Sequence, residues 1–136
     1  DASLNLVKGG GAAHAREKVV ALSADRVVIV ADETKEREKL DVPVPLEVLE
    51  FAVPHVREYV AGLGGDFALR ESGGKDGPVV TDNGNVVADA DFDGYDATEL
   101  AEELDCVTGV VEHGLFVGVA DEVRVGTHGT VEVLRR

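Results

Sequence analysis

Tryptophan and methionine are absent from the 136 residues, aromatics make up 4% of the chain, and cysteine occurs once, at Cys106. A lone thiol rules out an intrachain disulfide and with it the stapled scaffolds of small secreted domains, so a reducing, cytoplasmic setting is expected. So few aromatic rings leave little on which bases stack. Cations are scarce as well: 13 Lys and Arg stand against 27 Asp and Glu, a formal net charge of -14. That balance repels phosphate backbones and anionic bilayers, and neither nucleic acid nor a membrane is an expected partner. Apolar runs such as Val27 to Ala31 and Val107 to Val111 stop at strand length. A membrane-spanning helix needs roughly 20 residues, and no targeting peptide opens the chain.

What is present is an aliphatic core composition, 44% hydrophobic and built mainly from Val, Leu and Ala. It is enough for one or two small domains. Acidic excess with only five lysines suits concentrated salt, where screening relieves carboxylate repulsion, so a halophilic habitat is expected.

Leu4 to Val7 is a short apolar run, three glycines follow Lys8, and a helix-compatible segment extends from Ala12 to about Ala24. The β-branched block Val27 to Ala31 reads as a strand covered on both faces in a parallel sheet. A charged stretch then ends in Val42-Pro43-Val44-Pro45, and because proline is excluded from central strands a domain boundary is expected there. Beyond it the pattern gives strand Leu46–Phe51, helix Pro54–Leu63, strands Phe67–Glu71 and Val79–Asp89, helix Ala97–Leu104 capped by Asp96, and strand Val107–Phe116. Asn83-Gly84 is a hairpin signal within the third of these strands. The order βαββαβ is that of the ferredoxin-like split unit. Val123, Val125, Val131 and Val133 alternate about a turn at Thr127 to Gly129, a hairpin returning to the first sheet. The expected fold class is α/β, a partial Rossmann-like parallel layer plus a ferredoxin-like domain. Its divisions are 1–42, 43–117 and 118–136.

The stretch from Lys8 to Lys18 brings a cation, a glycine bend and a helix N-terminus together, an arrangement suited to an oxyanion or phosphate. It matches neither the P-loop nor the dinucleotide fingerprint, and a plain strand-to-helix turn is the competing reading. Glu17, about a turn and a half into the helix, either faces a ligand at the bend or is a solvated helix residue. His14 reads as a packing or rim residue. Lys35 follows the Val27 strand at its carboxyl end, where open α/β sheets bind ligands, or belongs to a solvated charged loop. Asp82, Asp89, Asp91 and Asp93 lack EF-hand spacing and read as turn and surface residues. Cys106, with no designated base, reads as a small buried residue. No metal-ligand set stands out.

Several stretches together resemble the type A ribose-5-phosphate isomerases: Asp1 to Lys18 with its Lys-Gly-Gly-Gly and Arg-Glu-Lys, Ala31-Asp-Glu-Thr-Lys35, Pro43 to Val48, Val80 to Asn85, and Gly109 to Phe116. The resemblance covers essentially the whole chain. It implies isomerisation of ribose 5-phosphate and ribulose 5-phosphate through an enediolate, without a cofactor or metal. Glu17 is the implied base. Lys8 and the backbone of Gly9, Gly10 and Gly11 line the sugar site, and Lys35 binds the phosphate. A homodimer or homotetramer is implied as well. The family's Thr/Ser-rich phosphate loop and Asp-Gly-Ala-Asp motif are missing from these residues. The resemblance therefore implies a carboxyl-terminal portion, inactive until the other half is supplied. Outside the family, a βαββαβ module also serves as a non-catalytic ligand sensor or a structural unit.

Overall fold

The structure, a computed structural model, describes residues 1–74 and 76–136. Strand β1 (Leu6–Val7) leads through the glycine bend to helix α1 (His14–Leu22) and strand β2 (Val28–Asp32). Next come β3 (Val44–Val48), α2 (Val53–Gly62), β4 (Gly65–Leu69), β5 (Val86–Phe92), α3 (Ala97–Asp105), β6 (Val110–His113) and β7 (Leu115–Phe116). The hairpin β8 (Glu122–Thr127) and β9 (Thr130–Arg135) ends the chain.

Strands β3 to β6 form an antiparallel sheet in the order β4-β5-β3-β6, the ferredoxin-like arrangement expected for βαββαβ. Helices α2 and α3 supply Val56, Val60, Leu100 and Leu104 against Leu46, Val48, Val86 and Ala88 of the sheet. This is the main core. A second sheet, β2-β8-β9, pairs β2 parallel to β8 and shares a small cluster of Leu4, Ala120, Val123 and Val125, with Leu6, Ile29 and Leu134 packed against it. As expected, Asp96 caps α3, accepting from the amides of Thr98 and Glu99 at 2.8 and 3.0 Å.

Four expectations are corrected. Strand β2 is not covered on both faces: its residues alternate, and Val30 is 79% exposed, because no described element packs over that side. Pro45 sits inside β3, a central strand. Within a strand a residue's N–H and C=O project to the same side. The Pro45 carbonyl accepts from the Gly114 amide at 2.7 Å, one residue beyond the first β3–β6 pair, Leu46–His113. The missing proline donor therefore faces the place where β6 has already ended. The segment Val79–Asp89 is not one strand but turns back on itself where the Asn83-Gly84 signal lies: Thr81 to Gly84 reverses the chain and Val80 bridges Val86. The expected strand Val107–Phe116 breaks at Gly114, with β6 joining β3 and β7 joining β1.

Candidate functional site

That break at Gly114 positions the site. The Lys8 amide donates to the Gly114 carbonyl at 2.8 Å, which fixes the end of β1 where the glycines begin. A side chain on Gly114 would collide with the Lys8 carbonyl, so the two segments cross as closely as backbones allow. The bend itself needs left-handed backbone at Gly9 (φ +107°) and Ala12 (φ +60°). Ala12 is an alanine in glycine territory, a strain held in place by the Ala12 amide donating to the Gly9 carbonyl at 3.0 Å.

Helix α1 starts without a side-chain cap, since Ala13 at the N-cap has no oxygen to offer, in contrast to α3. The amides of its first turn and the positive end of its dipole are therefore left for a ligand. Glu17, in that turn, holds its carboxylate 3.1 Å from the Lys8 ammonium. Both side chains stay partly open to solvent, 42% and 30% exposed. They line a groove of about 530 Å³ with Ala13, Arg16, Val20 and Phe116. Of the residues expected at the site, the structure brings Lys8 and Glu17 into contact, while Gly9, Gly10 and Gly11 adjoin Lys8 in the bend but do not line the groove.

Lys35 is not brought to that groove. It lies in a one-turn 3-10 segment directly after β2, 69% exposed, with Asp32 at 4.0 Å as its partner. It lines a separate cavity of about 260 Å³ floored by Leu4, Leu6, Ala31, Val123, Val125 and Leu134. His14 is fully buried, as a packing residue. Its Nε2 lies 3.3 Å from the Glu112 carbonyl, and as a carbonyl only accepts, Nε2 carries the proton and donates. Nδ1 is then a bare acceptor, without a hydrogen-bond partner among the described residues. Burial holds the imidazole below its usual pKa and keeps it neutral.

Two further readings change. Cys106, expected buried, is exposed at the C-cap of α3. Asp89 is no surface turn residue but stands on β5 in a two-pronged pair with Arg70.

Sequence reasoning missed the charged residues that hold the site. Arg70 donates from Nη1 to the carbonyls of Gly9 and Gly10 at 2.8 and 3.2 Å. Lys18 is buried under α1, where its ammonium meets the Glu112 carboxylate, donates to the His113 carbonyl at 2.8 Å and lies 5.2 Å from the Phe116 ring centroid. Glu47 is fully buried on β3 and accepts from Thr81, Asn83 and Asn85. Burial raises its pKa, but these bonds outweigh burial and hold it below the usual value. Because Asn83 turns its amide group to that carboxylate, its carbonyl oxygen is free to accept from Arg16 Nε at 2.9 Å. The turn thereby ties down α1 next to Glu17. Such buried charges carry no sequence signal of their own, since their partners lie far along the chain.

One grouping of described residues is close enough to share a cation: donor atoms of Asp105, Glu112 and His113 lie within 4.8 Å of one another. The Lys18 ammonium already sits against Glu112 and 3.5 Å from His113 Nδ1, so a positive charge occupies that place. Among the described residues no helix is long and apolar enough to cross a membrane.

An uncapped helix end, a glycine bend and a facing ammonium–carboxylate pair thus stand together on an α/β framework. The sequence model of ribose 5-phosphate isomerase A (phosphoriboisomerase A) matches residues 1–130, and the chain belongs to that family. It is 58% identical over 130 residues to ribose-5-phosphate isomerase A of Natronomonas pharaonis and 59% identical over 133 residues to that of Haloarcula marismortui. These alignments cover 95% and 97% of this chain and 58% of each relative, so the chain spans less than two thirds of their length. Among solved structures, the ribose 5-phosphate isomerase A of Methanocaldococcus jannaschii superposes with a TM-score of 0.94 at 40% identity, covering 98% of this chain and 60% of that one.

Proposed function

We propose that this protein interconverts D-ribose 5-phosphate and D-ribulose 5-phosphate, an aldose–ketose isomerisation of the pentose phosphate pathway. The observation that carries the reading is the Glu17 carboxylate, held 3.1 Å from the Lys8 ammonium beside an uncapped helix end. A solved D-ribose-5-phosphate isomerase, 39% identical with a TM-score of 0.94, is in complex with phospho-erythronic acid, which supports a phosphorylated ligand here.

In this mechanism the Glu17 carboxylate takes the proton from C2 of the open-chain aldose and returns it to C1 of the enediolate, while the O2 hydroxyl gives up its proton and O1 gains one, leaving C2 as the carbonyl. Lys8 stands where negative charge develops on the oxygens of those carbons, and it leaves Glu17 for the substrate as the intermediate forms. Amides of the glycine bend and of α1 bind sugar oxygens. Lys35, exposed at the carboxyl end of β2, takes the phosphate in this proposal; because it lies outside the groove, its side chain leaves Asp32 and reaches toward the substrate, and remote binding energy then orients the reacting carbons. Residues 1–42 and 118–136 make up the catalytic unit in this proposal, and 43–117 make up the flanking ferredoxin-like domain. The protein works in the cytoplasm as a homodimer or homotetramer, and a monomeric sedimentation coefficient would contradict that.

Glu17→Gln keeps size and polarity but removes the base. In the intact protein it is expected to abolish exchange of the C2 hydrogen with solvent while the affinity for ribose 5-phosphate stays within about threefold, since general-base catalysis alone supplies about 10²–10⁴ in rate. Hydrogen exchange at the wild-type rate in this variant would overturn the assignment.

A further inference from the structure

Arg70 is outside the groove and touches none of its open surface, yet its guanidinium is spent on the backbone of the bend. Nη1 donates to the Gly9 carbonyl at 2.8 Å and to the Gly10 carbonyl at 3.2 Å. The other edge of the fork is held by Asp89 on β5, with Nε 2.8 Å from Oδ2 and Nη2 against Oδ1. The pair is half-buried, its side chains 20% and 32% exposed, and Asp89 keeps the guanidinium charged and oriented.

In a trans peptide the C=O and the following N–H point in opposite directions. With the Gly9 and Gly10 carbonyls both drawn toward Arg70, the amides of Gly10 and Gly11 are turned to the opposite side. Both glycines are exposed there, no heavy atom outside their immediate neighbours lies within 4 Å of where their Cβ would be, and neither amide has an acceptor among the described residues. Without a side-chain anchor three consecutive glycines sample many peptide orientations, since glycine has the greatest backbone freedom of any residue.

We propose that Arg70, braced by Asp89, is a positioning residue that sets the polarity of the glycine bend and holds the Gly10 and Gly11 amides as a preformed pair of donors for the oxygens of the sugar phosphate. The proposal rests on the isomerase reading for the identity of the ligand, but not for the polarity of the bend. A guanidinium is required because one planar group must serve two carbonyls and a carboxylate at once.

The test uses Arg70→Met, Arg70→Lys and Asp89→Asn in the intact protein. In the ligand-free state the carbonyl ¹³C resonances of Gly9 and Gly10 are expected to shift in Arg70→Met, and less in Arg70→Lys, which retains a charged donor group without the planar fork. Unmoved resonances overturn the proposal whatever the ligand. With ribose 5-phosphate, KM rises about tenfold in Arg70→Met while kcat falls less than threefold, and the titration shifts of the Gly10 and Gly11 amides are lost; one tenfold step corresponds to one good hydrogen bond. Arg70→Lys and Asp89→Asn lie between, which covers the case in which Arg70→Met does not fold. A purely structural role lowers Tm but leaves KM and the amide shifts as in wild type, and that result sinks the proposal. Glu17→Gln in the same titration separates the two claims. If it binds but does not turn over while Arg70→Met binds normally, the isomerase reading stands and the role of Arg70 falls. If wild type does not bind ribose 5-phosphate, the isomerase reading falls, and the ligand-free carbonyl resonances of Gly9 and Gly10 alone decide whether Arg70 sets the polarity of the bend.

Discussion

Gly9, Gly10 and Gly11 are identical letters with two different tolerances. A Cβ on Gly9 would stand 2.7 Å from His14 Nδ1 and 3.0 Å from the Pro45 side chain, at a φ of +107° that a side chain resists. Gly10 and Gly11 meet nothing. Gly9→Ala is therefore expected to cost about 1–3 kcal/mol of stability, the usual range for enforced left-handed backbone, whereas Gly10→Ala stays within about 0.5 kcal/mol, as surface changes do. Urea unfolding of the two variants checks the contrast, and equal midpoints would show that the bend is not pinned at Gly9. The run of glycines is visible in the sequence. Which of them is pinned is not, because that depends on His14 folding back under the bend and on Pro45 arriving from another strand.

At the scale of elements, α1 is held in an unusual way. Its Val19, Val20 and Leu22 are 65–70% exposed, while its buried residues are His14 and Lys18. An ammonium between Glu112, the His113 carbonyl and the Phe116 ring replaces the apolar stripe that normally seats a helix. Removing one partner of a well-buried pair strands the other charge, so Lys18→Met is expected to destabilise by on the order of 3 kcal/mol. Adding Glu112→Gln to Lys18→Met should recover part of that loss. Chemical denaturation of the single and double variants decides it: if the double variant is the less stable by the full sum, Lys18 does not act through Glu112. The order of elements was legible in the sequence where each carried a local signal, as with the Asp96 cap, the Asn83-Gly84 turn and the valine runs. Pro45 misled because the rule against proline in central strands says nothing about which side of the strand lacks a partner. Lys18, Glu47 and Arg70 were invisible for a different reason. Their partners lie 94–95, 34–38 and 19–61 residues away, and only the completed sheet brings them together.

For the whole molecule, acid is a test of which charges are structural. Glu122 is 1% exposed and accepts from Arg124 Nε at 2.7 Å, Arg135 Nε at 3.0 Å and Arg26 Nη2 at 2.7 Å, which ties β8, β9 and the approach to β2 to one carboxylate. Those bonds, Arg124 first, lower its pKa from 4.5 to about 2. Between these values the unfolded chain binds the proton and the folded one does not, so stability is fully present above 4.5 and is lost as pH falls toward 2. His113 acts earlier. Burial and the Lys18 charge lower its pKa from 6.5, so the unfolded chain gains a proton first and stability starts to fall below pH 6.5. Opposing both is the relief of self-repulsion as a chain of net charge -14 is neutralised. The two effects separate by range: at about 1 M salt the Debye length is roughly 3 Å, which removes repulsion between distant surface carboxylates and leaves direct contacts largely intact. In 1 M NaCl the unfolding free energy is therefore expected to decline from pH 6.5 and more steeply from 4.5 toward 2. Glu122→Gln should be less stable at pH 7 and should show a shallower decline in the lower window, because its neutral amide has no proton to gain. Parallel curves for wild type and variant below pH 4.5 would mean that Glu122 is not the carboxylate through which acid loosens the β2-β8-β9 sheet.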